Sequence, residues 1–101
     1  MVKHVIIWDI KPEYTEEEKA AVKAKVKAGL EGLKGQIPGL LEITVRTEGL
    51  PSSMGDMMLD SVFESPEALK GYAVHPAHVA VADGIVRPNV AHRSCFDCVV
   101  D

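Results

Sequence analysis

The segment from Tyr72 to His78 holds the side chains of this sequence that are best suited to chemistry. It reads Tyr-Ala-Val-His-Pro-Ala-His, and Pro76 favours the first turn of a helix, which places His78 in that turn. The positive end of a helix dipole disfavours a protonated imidazole, so His78 is expected to be neutral near physiological pH and able to accept a proton. Tyr72 can donate a hydrogen bond to a carbonyl or enolate oxygen. The segment is therefore a candidate for proton transfer, with His4 on the first strand as a third polar group that could converge there.

The same residues also have purely structural interpretations. A histidine before a proline can cap a helix, which is an alternative role for His75, and a tyrosine at the end of a helix can simply pack in the core. His75 and His78 are three residues apart and could share one side of a helix, but two ligands are too few for a four-coordinate metal site. We therefore expect no metal ion, and the choice between a catalytic and a structural segment stays open.

The cysteines at positions 95 and 98 have the spacing of half a redox or zinc motif. Redox pairs of this type lie at the start of a helix, whereas Cys95 and Cys98 fall in a predicted strand, where residues three apart point to opposite faces. We interpret them as packing residues. The sequence contains no glycine-rich phosphate loop and no nucleophile-elbow motif, so no cofactor is expected.

Composition and charge exclude several classes of protein. The 101 residues fit a single domain, 1–101, and the net charge of −4 disfavours nucleic acid as a partner. The longest apolar run, residues 5–8, is far shorter than the roughly 20 residues of a membrane-spanning helix, so no membrane partner is expected and we predict a cytoplasmic protein. Lys19, Lys23 and Lys27 line one face of a predicted helix and are interpreted as a solvated face.

The hydrophobic pattern predicts the elements that position these residues. The predicted strands cover residues 2–10, 41–46, 56–64 and 91–100, and the predicted helices cover 15–35, 65–71 and 76–86. Thr15 and Glu18 have capping-box spacing at the start of the first helix. In the second strand, Leu41, Ile43 and Val45 alternate with polar residues and are expected to be buried. The order βαββαβ predicts an α+β, ferredoxin-like sheet backed by helices.

Both faces of the predicted sheet carry apolar residues. In the first strand Ile6 and Trp8 point to one side, while Val5 and Ile7 point to the other. One layer of helices covers only one face, so we expect a second copy of the chain to cover the other face in a homodimer. A monomer with a partly exposed apolar sheet is the alternative.

The sequence resembles the stress-responsive dimeric A/B barrel (Dabb) family over nearly its whole length. The motifs behind the resemblance are Val2-Lys3-His4-Val5, Val62-Phe63-Glu64-Ser65, Ala68-Leu69-x-x-Tyr72-x-x-His75-Pro-x-His78-Val79 and Phe96-Asp97. The resemblance implies a ferredoxin-like protomer that pairs into a dimeric α/β barrel. The family includes plant stress proteins and a polyketide cyclase branch.

In the polyketide cyclase branch, a tyrosine and a histidine of this segment perform an intramolecular aldol condensation. The resemblance implies that Tyr72 would hold the carbonyl oxygen, His78 would take the proton and His4 would line the pocket. This chain has Val22 among alanines in the first helix, and Val81 after the histidine, where the cyclases have aromatic residues. A long alkyl-bearing substrate therefore has no evident place.

From the residues and the resemblance together we expect a homodimer with a small apolar pocket that binds a small carbonyl-bearing molecule. The alternative is an enzyme that cyclises or enolises a β-keto substrate, with His78 and Tyr72 as the catalytic residues. The expected binding residues are His4, Ile6, Trp8, Val22, Val26, Leu59, His75 and Val81.

Overall fold

The computed structural model describes residues 1–100, which form a four-stranded antiparallel sheet with helices on one face. The strands are β1 (Val2–Ile10), β2 (Leu40–Arg46), β3 (Met57–Phe63) and β4 (Val90–Val99), and the helices are α1 (Glu16–Glu31), α2 (Pro66–Val74) and α3 (Pro76–Val81). The strand order is β2-β3-β1-β4, which places β1 between β3 and β4. This arrangement confirms the predicted ferredoxin-like α+β fold.

Helix α1 begins at the predicted capping box. The Thr15 hydroxyl accepts a hydrogen bond from the Glu18 backbone N–H, and the Glu18 carboxylate accepts one from the Thr15 N–H. The helix ends at Glu31 rather than at residue 35, and in the turns that follow Gly35 takes a left-handed φ of +87°. Over residues 1–100, no helix combines the length and hydropathy that crossing a bilayer requires.

The second helical part also differs from the prediction in its detail. Helix α2 runs to Val74 rather than to residue 71. After α3 ends at Val81, a wider π-helical turn covers Ala82–Val86 and a 3-10 turn leads into β4. Residues 76–86 are therefore helical as predicted, with a change in hydrogen-bond spacing. A Cβ atom on Gly29 of α1 would lie 3.0 Å from Val81, so the glycine permits close packing of these two helices.

Strand β2 does not alternate as predicted at its start. Leu40 is buried, and Leu41 is 37% exposed, so the prediction that Leu41 faces the core is wrong. The pairing with β3 shifts between Leu40 and Glu42, and such a bulge reverses the direction of the side chains on one side of it. Beyond the bulge, Ile43 and Val45 are buried as predicted.

The free edge of β2 is covered by two charged side chains of α1. Glu31 accepts a hydrogen bond of 2.9 Å from the Val45 N–H, and Lys27 donates one of 2.8 Å to the Val45 carbonyl. Lys27 and Glu31 also pair with each other at 2.8 Å. Lys27 is therefore not part of a merely solvated face, because the edge strand supplies backbone groups for it to bind.

The face of the sheet away from the helices is partly apolar. Ile7 and Phe96 are 45% and 71% exposed on this face, which confirms the predicted alternation in β1. Its centre also holds charges, since Lys3 and Arg46 lie 3.3 Å and 3.9 Å from the carboxylate of Asp60. The helix-free face is thus a mixed surface of apolar side chains around an ion-paired centre.

Strand β4 is only thinly covered on the helix side. Residues 91–97 are exposed, in contrast to the neighbouring β1, whose helix-facing side chains are all buried. The helices pack mainly over β1, β2 and β3. This uneven cover leaves a space beside β4, and the candidate site lies there.

Candidate functional site

A cavity of about 780 Å³ lies between the helix-facing side of β1 and β4 and the segment from α2 to residue 90. Its base is apolar and includes Ile6, Trp8 and Leu59. It opens along β4, because Arg93 and Cys95 line it and are themselves exposed. A cavity of this size and mixed lining suits a small organic molecule.

The structure brings together some of the predicted site residues and separates others. His4, Ile6, Trp8, Leu59, Tyr72 and His78 all line the cavity. Val22 and Val26 lie on the face of α1 that packs into the core, and Val81 is half-buried against the same core. None of these three residues lines the cavity. His75 is the N-cap of α3, and its Nδ1 accepts a hydrogen bond of 3.1 Å from the Ala77 N–H. That is the capping role described as its alternative.

Tyr72 is almost completely buried, yet its hydroxyl has no hydrogen-bond partner among residues 1–100. Its ring packs 4.9 Å from the ring of Phe63 and 6.1 Å from that of His4. Burial raises the pKa of Tyr72, so the phenol keeps its proton over the ordinary pH range. An unpartnered buried hydroxyl costs about 1–3 kcal/mol, and a ligand oxygen that accepted a hydrogen bond from it would recover this free energy.

His78 stacks on Tyr72, with ring centroids 4.1 Å apart and planes tilted by 33°. Its Nδ1 lies 3.3 Å from the carbonyl oxygen of Ala73. A carbonyl oxygen only accepts hydrogen bonds, so this contact places the proton of the neutral ring on Nδ1 and leaves Nε2 as the basic nitrogen. Burial lowers the pKa of His78, against the opposing effect of the Ala73 contact. Burial is thus the main cause that the structure gives for the expected neutral histidine.

Sequence reasoning missed the residues that β4 contributes. His4 is directly opposite Asp97 in the β1–β4 pairing, and its Nδ1 contacts the Asp97 carboxylate. Cys95 lies two residues earlier on the same face, with Sγ 3.7 Å from Nδ1 of His4 and 3.5 Å from Oδ1 of Asp97. The alternation of β4 predicts that Cys95 and Asp97 share one face of the strand. Only the register with β1 shows that His4 lies next to them.

The two cysteines lie on opposite faces of β4 as predicted, but Cys95 is not a core residue. It is exposed and lines the cavity, because no helix covers β4 at this point. Burial of the sulfur and the neighbouring Asp97 raise the pKa of the Cys95 thiol. The interpretation of Cys95 as a packing residue is therefore wrong.

Arg93 adds a positive charge to the open side of the cavity. It lines the cavity, is exposed, and forms no ion pair within the described residues. Together the lining offers a protonated phenol, a basic imidazole nitrogen and a cation. This set can bind a carbonyl compound that carries negative charge, and it can move a proton at the carbon beside the carbonyl.

Comparisons with known proteins identify a matching protein family and several similar solved structures. Residues 2–100 match the Stress responsive A/B Barrel Domain (Dabb). A comparison with curated protein sequences gives no match. Among solved structures, a dimeric protein of unknown function with a ferredoxin-like fold from Bacteroides fragilis is 31% identical, with a TM-score of 0.88, over 96% of this chain and 93% of that chain.

Two further structures share the fold at lower identity. A dimeric ferredoxin-like protein of unknown function from Thermobifida fusca is 20% identical, with a TM-score of 0.80, over 98% of this chain and 90% of that chain. A hydroxynitrile lyase from Passiflora edulis is 14% identical, with a TM-score of 0.73, over 99% of this chain and 93% of that chain. The match over nearly the whole chain shows that this protein belongs to the stress-responsive A/B barrel domain family.

Proposed function

We propose that the protein binds a small carbonyl compound with negative charge in the cavity beside β4. The observation that carries this proposal is the buried hydroxyl of Tyr72, which has no partner among residues 1–100 and belongs to a side chain that lines the cavity together with His78. A protein rarely leaves such a donor unpaired, because burial removes its bonds to water. A ligand carbonyl is the simplest partner, because the Tyr72 phenol stays protonated and can donate a hydrogen bond to it.

Arg93 supports a negatively charged ligand. It is a cavity-lining cation without an ion pair in the described part of the chain, while the chain as a whole has a net charge of −4. A cation that faces a cavity in an acidic protein favours a carboxylate or another anion at that place. A small keto acid meets both requirements, with its ketone at Tyr72 and its carboxylate towards Arg93.

We also propose that the functional form is a cytoplasmic homodimer that pairs through the helix-free face of the sheet. This face exposes Ile7 and Phe96, and the similar structures from Bacteroides fragilis and Thermobifida fusca are described as dimeric. A partner copy would remove the exposed apolar side chains from water. Both cysteines are free thiols, which suits a reducing compartment.

Binding can be tested by calorimetry with acetoacetate, a small keto acid, and with butyrate, which lacks the ketone. We expect the wild-type protein to bind acetoacetate more tightly than butyrate, and Tyr72→Phe to remove the difference. Tyr14→Phe is the matched control, because the Tyr14 hydroxyl bonds to Asn89 and lies outside the cavity lining. Equal affinity of Tyr72→Phe and wild type for acetoacetate would contradict the proposal.

A second candidate function is enolisation or aldol cyclisation of a β-keto substrate, as in the plant polyketide cyclase olivetolic acid cyclase, which the sequence distantly resembles. The observation that favours it is the Nδ1 contact of His78 with Ala73, which leaves Nε2 as a base. In this reaction Nε2 takes a proton from the carbon beside the ketone, and the enolate oxygen accepts the Tyr72 hydrogen bond. The carbanion then attacks a second carbonyl of the same molecule, and the alkoxide formed there takes the proton back from Nε2 of His78.

Enolisation can be separated from binding by following exchange of the protons beside the ketone for deuterium, with NMR, in the N-acetylcysteamine thioester of acetoacetate. The enzyme hypothesis predicts faster exchange with wild type, loss of the acceleration in His78→Gln, and no change in His92→Gln, whose side chain is exposed and outside the lining. Binding without any acceleration of exchange would leave the protein as a binder and exclude this second function.

A further inference from the structure

We propose that His4, Cys95 and Asp97 form a binding site for a thiophilic divalent metal ion, with zinc as the best match. The three side chains come from two neighbouring strands, and their donor atoms all lie within 4.8 Å of one another. His4 is opposite Asp97 in the β1–β4 pairing, and Cys95 is the next residue along the same face of β4. The inference does not require the proposed carbonyl ligand, since its main support is the arrangement of these three donors.

The spacing of the donors suits tetrahedral coordination. Ligand atoms at about 2.0–2.3 Å from zinc in a tetrahedral arrangement lie about 3.3–3.6 Å from one another. The sulfur of Cys95 lies 3.5 Å from Oδ1 of Asp97 and 3.7 Å from Nδ1 of His4. The direct contact between His4 and Asp97 must open for an ion to enter, and Asp97 can move away because its side chain is 43% exposed.

The types of donor select the class of metal. Thiolate and imidazole are ligands of zinc and of the softer transition metals, whereas magnesium and calcium take oxygen donors. A thiolate and a carboxylate together carry two negative charges, which balance a divalent cation. Arg93 lies two residues before Cys95 on the same face of β4 and interacts with the sulfur, so its exposed side chain has to turn towards solvent when an ion binds.

The surroundings of the cluster also indicate a bound group. Three protein ligands leave a fourth tetrahedral position for water or a ligand, as in catalytic zinc sites. The cluster lines the same cavity as Tyr72, whose ring lies 6.1 Å from that of His4 and whose buried hydroxyl is unpartnered in the described residues. A water or ligand atom at the fourth position would add a hydrogen-bonding group to this cavity.

The structure also shows why neither chain spacing nor a redox role explains Cys95. His4 and Asp97 are 93 positions apart, so no local motif links the ligands. Cys98 points to the other face of β4, since it pairs opposite Lys3 while Cys95 pairs opposite Ile6, so the two cysteines cannot act together within one chain. A role that uses Cys95 alone with His4 and Asp97 fits this geometry.

The test is a titration of the metal-free protein with Co²⁺, which reports thiolate coordination by a charge-transfer band in the near ultraviolet, followed by competition with Zn²⁺. We expect one ion per protomer and a band that zinc abolishes. Cys95→Ser should remove the band and weaken zinc binding by at least about tenfold, because even outer partners of metal ligands contribute that much. Cys98→Ser is the matched control and should keep both the cobalt charge-transfer band and the zinc affinity of the wild type.

A second variant protects the test against misfolding. Asp97→Asn changes an exposed side chain, so the fold should persist while zinc affinity falls by at least about tenfold. Circular dichroism of each variant checks that the fold is intact. The proposal would be overturned by absence of cobalt and zinc binding at micromolar concentrations, or by equal binding in wild type and Cys95→Ser, which would show adventitious binding at another surface group such as His92.

Discussion

The imidazole of His78 stacks on the ring of Tyr72 at 4.1 Å, while Nδ1 of that histidine faces the carbonyl of Ala73 at 3.3 Å. The two contacts together hold the ring at one orientation and assign its proton to Nδ1. The Tyr72 hydroxyl, by contrast, has no partner within residues 1–100. His78 is thus hydrogen-bonded and oriented, whereas Tyr72 carries a buried hydroxyl without a partner in the described residues, on a side chain that lines the cavity.

Tyr72→Phe should make the protein more stable in the absence of ligand. The substitution removes a buried hydroxyl without a partner, and the free energy of unfolding should rise by about 1 kcal/mol. Tyr14→Phe should have the opposite effect, because its hydroxyl donates a 2.8 Å hydrogen bond to Asn89. Urea unfolding at fixed protein concentration measures both. A loss of stability in Tyr72→Phe as large as that in Tyr14→Phe would show that the hydroxyl has a partner.

His78 should make the folded protein less stable in mild acid. Burial lowers its pKa below the ordinary value of 6.5, so the unfolded chain binds more protons at this residue than the folded chain as pH falls through that value. The free energy of unfolding is thus unaffected by His78 above the ordinary pKa, and it should fall because of this residue between about pH 7 and pH 5. Unfolding of wild type and His78→Gln over this range isolates the effect, and parallel pH profiles would contradict it.

Glu31 should stabilise the free edge of the sheet through Val45. Glu31→Ala leaves the Val45 N–H, on a fully buried residue, without its 2.9 Å acceptor, and this should lower the free energy of unfolding by about 1–3 kcal/mol. Glu31→Gln keeps a hydrogen-bond acceptor for the Val45 N–H and should lower the free energy of unfolding less than Glu31→Ala. Chemical denaturation of the three proteins compares them, and equal stability of wild type and Glu31→Ala would exclude this role.

Glu31 should also make stability depend on pH, with the same sign as His78 but in a more acidic range and from a different cause. The hydrogen bond from Lys27 lowers the pKa of Glu31 most strongly, and the Val45 N–H lowers it further against the effect of burial. The ionised carboxylate is therefore favoured by folding, and its stabilisation is present above the ordinary pKa of 4.5 and is lost as pH falls below it. Glu31→Gln should flatten the acid limb of the stability profile, and an unchanged limb would count against the pairing.

Phe96→Asp should dissociate the proposed homodimer. Phe96 is 71% exposed on the helix-free face, and a symmetric interface would bury it twice. Loss of about 1.5–3 kcal/mol from each copy should raise the dimer dissociation constant by about a hundredfold or more. Val74→Asp is the matched control, since Val74 is 76% exposed at the end of α2, on the helix side of the sheet. Sedimentation of the variants measures association, and a wild-type monomer at micromolar concentration would exclude the dimer.

The sequence by itself determined the order of the elements, the two faces of the sheet and the Tyr72–His78 segment. These features depend on local rules: period-2 and period-3.6 hydrophobicity, a Thr15 cap and a proline at the start of each short helix. The local rule of alternating side chains gave a wrong prediction where the pairing between strands was irregular. Leu41 reads as a buried residue of β2, but the bulge next to Leu40 turns it outward.

Only the tertiary structure decided which residues share the cavity. Asp97 meets His4 from 93 positions away, because the register of β4 against β1 and not any spacing along the chain places them opposite each other. The exposure of Arg93 and Cys95 follows from the helices, which stop short of β4 and leave its inner face open. Strand register and layer cover are sums over many weak contacts between distant residues, so no short segment encodes them.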